Sequence, residues 1–147
     1  MGWTVTSAVV KEHTEEEAGL AYLSVTLAER SGAGGRHIEF QVALDGDDRD
    51  DGYCVMDSLP DFGEDLFDMA HAIGTHKCLY GGVKSYRIDG DELSFRFSWK
   101  AQRLFGWPRT LRLTLAVPMD QRDALGPGLA AVFAVAPPGE RSPRVLV

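Results

Sequence analysis

The chain has 147 residues, of which 44% are hydrophobic and 25% are charged, and its formal net charge is −7. This length and composition are those of one globular domain, and they exclude a chain that stays disordered for lack of apolar surface. The acidic balance argues against direct nucleic-acid binding, because neutralising phosphates requires clustered Lys and Arg, and the sequence shows no such cluster. A basic protein partner fits this charge better.

The first residues and the cysteines indicate the compartment. Residues 1–6 lack the charged start and the apolar core of a signal peptide, and no window approaches the length of a membrane span. We therefore expect a cytoplasmic protein that does not engage a membrane. Cys54 and Cys78 are the only cysteines, and we expect free thiols in a reducing compartment.

The sequence pattern predicts mainly strands in the first half of the chain. Alternation of apolar residues predicts strands over residues 3–13, 20–27 and 37–44, and the short apolar stretch in 52–57 suits a fourth. Apolar residues then recur at helical spacing over residues 61–73, which predicts an amphipathic helix.

The second half begins with a hairpin, which is the strongest local signal in the chain. Its strands cover residues 83–88 and 93–97, on either side of the turn Asp89-Gly90-Asp91. Ser98 is placed to cap a short helix that ends at Gly106, and a strand follows over residues 111–117.

A last helix is predicted near the C-terminus. Asp120 is placed to cap it, and its apolar residues continue to Phe133 at helical spacing. Gly126-Pro127-Gly128 should kink or restart this helix. The tail over residues 137–147 has no periodicity, so it is either flexible or an additional edge strand.

These elements predict an α+β fold. Short links between consecutive strands favour a mainly antiparallel β-sheet of about six or seven strands, with two or three helices packed on one face. We expect one domain over residues 1–136 and a separate C-terminal tail over residues 137–147.

Two clusters of residues contain possible metal ligands. The five aspartates of the loop after residue 44 resemble a calcium loop in composition, but Arg49 falls on a ligand position and no glutamate closes the loop. His71, His76 and Cys78 could supply part of a zinc site, but no fourth ligand is evident and the spacing matches no zinc template. We therefore predict no metal and no cofactor, and a solvated acidic loop that can serve as a contact surface.

Motifs for nucleophilic catalysis or phosphate binding are missing from the sequence, so we predict a protein that is not an enzyme. The aromatic residues divide into two groups. Four phenylalanines lie in apolar phase and should form the core: Phe40, Phe95, Phe97 and Phe133. Four others flank loops or helix starts and are candidates for an interface: Tyr53, Tyr80, Trp99 and Trp107.

Several short motifs resemble a known family in their order along the chain. They are Ile38-Glu39-Phe40-Gln41, the acidic loop, Gly52-Tyr53-Cys54-Val55, and Tyr80-Gly81-Gly82-Val83 before the hairpin. Over residues 36–133 this order resembles immunity-protein family ten of bacterial polymorphic toxin systems. The predicted helix over residues 61–73 is longer than the turn expected there, which is a departure from the family pattern.

The resemblance implies a cytoplasmic antidote that binds a cognate toxin domain without catalysis. An acidic surface would suit a cationic toxin such as a nuclease, since carboxylates can mimic the phosphates that it engages. The residues predicted to contact this partner are Asp45, Asp47, Asp48, Asp50, Asp51, Tyr53, Tyr80 and Trp107.

Other functions remain open at this point. A small-ligand-binding or regulatory domain would enclose an apolar pocket between the sheet and a helix. A hydrolase or metal enzyme would be built around His71, His76 and Cys78. The sequence does not decide between a monomer and a homodimer.

Overall fold

The computed structural model describes residues 2–18, 20–30, 35–57 and 78–146. Within these ranges the chain forms two five-stranded sheets and two helices of more than one turn. The predicted α+β class with mainly antiparallel pairing is therefore confirmed. The arrangement differs from the prediction, because the strands divide between two sheets where one sheet was expected.

The first sheet has the strand order β1-β9-β8-β7-β10. Its strands are β1 (Gly2–Val5), β7 (Val83–Asp89), β8 (Glu92–Phe97), β9 (Thr110–Leu115) and β10 (Arg144–Val145). The three central strands are antiparallel, and both edge strands pair in parallel with their neighbours.

The second sheet has the strand order β2-β3-β4-β5-β6 and is antiparallel throughout. Its strands are β2 (Ser7–His13), β3 (Tyr22–Ala28), β4 (His37–Ala43), β5 (Cys54–Met56) and β6 (Cys78–Tyr80). The helical segments are α1 (Glu15–Ala18), α2 (Asp47–Asp50), α3 (Trp99–Phe105) and α4 (Met119–Phe133). α1 and α2 are single turns.

The chain passes between the sheets at two corners. At Thr6 the single strand predicted over residues 3–13 divides: β1 pairs with β9 in the first sheet and β2 pairs with β3 in the second. The second corner is Gly81-Gly82, between β6 and β7. Alternation in sequence reports which side chains point inward, but not which sheet a strand joins, and this explains the wrong prediction of one sheet.

Aromatic rings hold the two sheets and α4 together. Phe40 of β4 lies 5.1 Å from Phe95 of β8, measured between ring centroids. Phe133, at the end of α4, lies edge-on to Phe40 at 5.2 Å and also contacts Tyr86 of β7 at 5.2 Å. The core is therefore continuous across both sheets, and the predicted core phenylalanines are confirmed as buried.

α4 packs on β2, β3 and β4 of the second sheet. It is one continuous helix through Pro127, so the predicted restart does not occur. Gly128 lies against Val10, since a Cβ at this position would come within 2.6 Å of the Val10 side chain. The helix begins at Met119 after Pro118, so Asp120 is not its N-cap. Asp120 lies in the first turn, where its negative charge interacts favourably with the positive end of the helix dipole.

α3 follows its prediction closely. The Ser98 hydroxyl accepts a hydrogen bond from the Ala101 amide at 3.2 Å, and Gly106 ends the helix in the left-handed conformation with φ of 72°. The predicted helix over residues 61–73 lies outside the described residues. In the C-terminal tail, Arg144 and Val145 form β10, so this part of the tail is an edge strand.

Candidate functional site: a basic groove on the first sheet

A groove of about 720 Å³ lies beside β7 and β8, bounded by the start of α3 and by the C-terminal segment 139–144. The strand register builds its floor. Ser85 of β7 pairs with Arg96 of β8 on one side and with Arg144 of β10 on the other. Because directly paired residues project from the same face, these three side chains stand in a row across adjacent strands.

Basic side chains dominate the lining of this groove. Five line it, and all five are exposed residues: Lys84, Arg96, Arg109, Arg141 and Arg144. Among the described residues, Glu140 is the one acidic residue in the lining. Within the described part of the chain, none of the five basic side chains forms an ion pair. The groove therefore carries an excess of positive charge on a protein whose net charge is −7.

This charge separation is visible in the sequence once the chain is divided at its middle. The first 77 residues carry 16 acidic and 5 basic residues, a net charge of −11, and the remaining 70 carry 6 acidic and 10 basic residues, a net charge of +4. The sequence pattern predicts no cluster of Lys and Arg, and this prediction is wrong, because five basic residues lie around one groove in the folded chain. The strand pattern explains why: Phe95 and Phe97 of β8 point into the core, so Arg96 between them points outward.

The Gly81-Gly82 corner meets the groove at Gly82, which is one of the lining residues. Its φ angles of 82° and 100° lie in the region that favours glycine. The Gly82 amide donates to a carboxylate oxygen of Glu140 at 3.4 Å, and the Gly82 carbonyl accepts from the Ser98 amide at 2.8 Å. A Cβ at Gly81 would occupy the space taken by the Glu140 carboxylate. The corner therefore accommodates a carboxylate group.

Trp99 supplies an aromatic surface next to Ser98, whose amide donates to the Gly82 carbonyl. It is the first residue of α3, lines the groove and is 70% exposed. The Arg103 guanidinium carbon lies 5.9 Å from the centroid of its ring, a cation–π arrangement. Exposure of so large a ring beside unpaired arginines is typical of a protein-binding surface.

The residues predicted from sequence to contact a partner do not form one surface. Asp45, Asp50 and Asp51 are exposed in the loop between β4 and β5, and α2, which contains Asp47 and Asp48, occupies the middle of that loop. Tyr80 is 53% exposed on β6, the edge strand of the second sheet, directly before the glycine corner.

The other two predicted contact residues are held by the core. Trp107 is half-buried, with its ring stacked on Phe105 at 4.2 Å. Tyr53 is 0% exposed and contacts Phe133 at 4.9 Å. Its hydroxyl accepts from the Val83 amide at 2.9 Å and donates to the Val83 carbonyl at 3.3 Å. Burial raises the pKa of Tyr53, so the side chain stays neutral and fastens the second sheet to β7.

We expect Tyr53→Phe to lower the free energy of unfolding by about 1–3 kcal/mol, because the buried Val83 amide loses its acceptor. Urea denaturation measures this loss. Tyr86→Phe is the matched control: Tyr86 is also buried, and its hydroxyl makes no hydrogen bond among the described residues. Equal losses in the two variants would contradict a structural role for the Tyr53 hydroxyl.

The two cysteines lie on neighbouring strands of the second sheet. β5 and β6 pair Cys54 with Tyr80 and Met56 with Cys78, so the cysteines are diagonal neighbours on one face. A hydrogen bond from the Cys54 thiol lowers the pKa of Cys78 to about 7, although partial burial opposes this shift. The same hydrogen bond, together with burial, raises the pKa of Cys54.

This pairing predicts unequal thiol reactivity. Cys78 should be alkylated by iodoacetamide faster than Cys54, with a rate that rises as the pH passes about 7, because the thiolate is the reactive form. Cys54→Ala removes the hydrogen-bond donor, so the midpoint for Cys78 should move to higher pH. Mass spectrometry of the alkylated peptides follows both sites. An unchanged pH profile in Cys54→Ala would show that Cys54 does not act on Cys78.

A serine–histidine pair on the same face of the second sheet does not form a catalytic arrangement. The Ser24 hydroxyl lies 3.0 Å from Nε2 of His13, and His13 stacks on Tyr22 at 4.1 Å. Ser24 is only 4% exposed, so its hydroxyl is out of a substrate's reach in this structure. The described residues also contain no group of three His, Cys, Asp or Glu side chains placed to hold a metal ion. His71 and His76 lie outside those residues.

Comparison with protein-family models, with curated proteins and with solved structures found no match. The resemblance to an immunity family therefore stays a prediction. Among the described residues, no helix is long and apolar enough to cross a membrane.

Proposed function

We propose that this chain is a non-catalytic binding protein that neutralises a toxin protein by direct contact, and that the basic groove is its contact surface. One observation carries the groove's part in this proposal: Trp99 is 70% exposed at the edge of a groove lined by five unpaired cations. Trp and Arg are the residue types that most often concentrate binding energy in protein interfaces.

The kind of partner is inferred from the sequence resemblance. An immunity protein needs a surface that binds tightly to its toxin, and it needs no catalytic group. Gly82 and Val83, two of the residues that carry the resemblance, line the groove. One motif of the resemblance, Tyr80-Gly81-Gly82-Val83, therefore contributes to the lining of the basic groove.

The sign of the charge at the contact surface changes one expectation. The net charge of the whole chain favours a cationic toxin, but charge complementarity acts where the two surfaces meet. A partner that covers the groove would present acidic groups there. A cationic toxin would instead approach the exposed aspartates Asp45, Asp50 and Asp51.

We do not propose the small-ligand alternative, because in the described part of the chain α4 packs on the second sheet with Leu125 and Leu129 fully buried. Phe133 of α4 contacts Phe40 of the second sheet, which in turn contacts Phe95 of the first sheet. Each of these three rings is at most 3% exposed. An apolar ligand would have to displace these rings.

Co-expression with the products of the open reading frames that flank this gene tests the proposal. The expected result is rescue of a sensitive host and copurification of the two proteins in a 1:1 complex. A toxic neighbour that is neither rescued nor copurified would overturn the proposal.

Within that complex, Trp99→Ala should weaken binding by about 10- to 100-fold, the usual range for loss of an interface tryptophan. Isothermal titration calorimetry measures the change. Met119→Ala is the matched control, since Met119 is also apolar and is 72% exposed outside the groove lining. Equal effects of the two variants would remove Trp99 from the contact surface.

A further inference from the structure

We propose that the groove binds an acidic peptide segment of the partner, and that Glu140 occupies the position of one partner carboxylate in the free chain. This inference rests on the proposed function, which it deepens by naming the chemistry of the partner's contact segment.

The charges of the groove favour a ligand with several carboxylates. Arg96 and Arg144 stand on either side of Ser85 in the strand register. Arg109 also lines the groove, and its carbonyl accepts a hydrogen bond from the Phe97 amide. Arginine binds carboxylates through paired N–H donors, which fixes orientation as well as charge. The absence of ion pairs to these side chains, among the described residues, leaves their donors available to a ligand.

Glu140 shows how a carboxylate fits the groove. Its side chain comes from the C-terminal segment and lies against the Gly81-Gly82 corner, where the Gly82 amide donates to it. That hydrogen bond is long, at 3.4 Å, and Glu140 is exposed. A weak, solvated hydrogen bond can be exchanged for one from a partner at small cost. Glu140 is therefore an internal competitor for the same position.

An acidic peptide fits better than a nucleic acid. The first 77 residues carry a net charge of −11, so a long polyanion that extends beyond the groove meets repulsion from the rest of the protein. A short acidic segment carries its charge only where the groove is basic. The group that lies at the corner in this structure is a carboxylate.

Fluorescence anisotropy with a labelled ten-residue glutamate peptide tests the inference on the full chain. We expect binding at low salt that weakens by at least about tenfold between 50 and 300 mM salt, because the attraction is electrostatic. Arg96→Gln combined with Arg144→Gln should weaken binding by about tenfold or more. Arg30→Gln combined with Arg49→Gln makes the same change of charge outside the groove and should have a much smaller effect.

Substitution of the internal competitor should act in the opposite direction. Glu140→Gln should tighten peptide binding by about three- to tenfold, because it removes the carboxylate that repels and excludes the ligand. Asp123→Asn changes the net charge equally outside the groove lining and should change the affinity less than twofold.

Three results would overturn the inference: no peptide binding at low salt, equal effects of the groove variants and their controls, or tighter binding of a ten-nucleotide single-stranded DNA than of the peptide. Its failure is distinct from failure of the proposed function. A toxin that copurifies while the peptide does not bind rejects only the acidic segment. Peptide binding without a toxic partner rejects only the toxin-neutralising role.

Discussion

Phe133→Ala should lower the free energy of unfolding by about 3–5 kcal/mol, the usual cost of removing a buried phenylalanine side chain. The ring is 3% exposed and contacts Phe40 of the second sheet, Tyr86 of the first sheet and Tyr53. Its removal leaves a cavity where α4 and both sheets meet, and none of these elements can close the space without disturbing the others.

Urea denaturation of Phe133→Ala measures this loss. Trp99→Ala is the control, because it also deletes a large aromatic ring but at a position that is 70% exposed, and it should change stability by less than about 1 kcal/mol. A loss below about 1 kcal/mol in Phe133→Ala would contradict a core shared by the two sheets.

Reversing the charge of the groove should have the largest effect on binding. Arg96→Glu combined with Arg144→Glu places two carboxylates in the row across β8, β7 and β10. Like charges brought together at an interface cost several kcal/mol, so we expect affinity for the copurified partner to fall by about 100-fold or more.

Calorimetric titration with the partner measures this fall in affinity. Arg30→Glu combined with Arg49→Glu is the matched control, with the same change of net charge at exposed positions outside the groove lining. Circular dichroism should show that both double variants remain folded. Retention of full affinity by the groove variant would contradict the assignment of the contact surface.

The elements that local sequence determines were predicted well. The hairpin of β7 and β8 follows from alternation around Asp89-Gly90-Asp91, and α3 follows from a capping serine and a terminating glycine. The assignment of strands to two sheets was not predicted, because the division at Thr6 depends on β9 and β3, which are distant in sequence.

The site was harder to predict for the same reason. Its cations come from positions 84 to 144, and the pairing of β7 with β8 and β10, together with that of β8 with β9, brings them together. The position of Tyr53 beside a loop predicts contact with a partner, but tyrosine suits core and interface alike. The hydrogen bonds that hold Tyr53 in the core join it to Val83, 30 residues away. The net charges of the two halves, −11 and +4, were the signal available in the sequence.

Amide hydrogen–deuterium exchange of the chain, with and without its copurified partner, tests whether the basic groove is the contact surface. We expect slower exchange on binding in three segments that line the groove, residues 82–85, 96–99 and 139–144. Protection confined to the acidic loop at residues 45–51, with unchanged exchange in all three groove segments, would contradict the assignment of the groove as the contact surface.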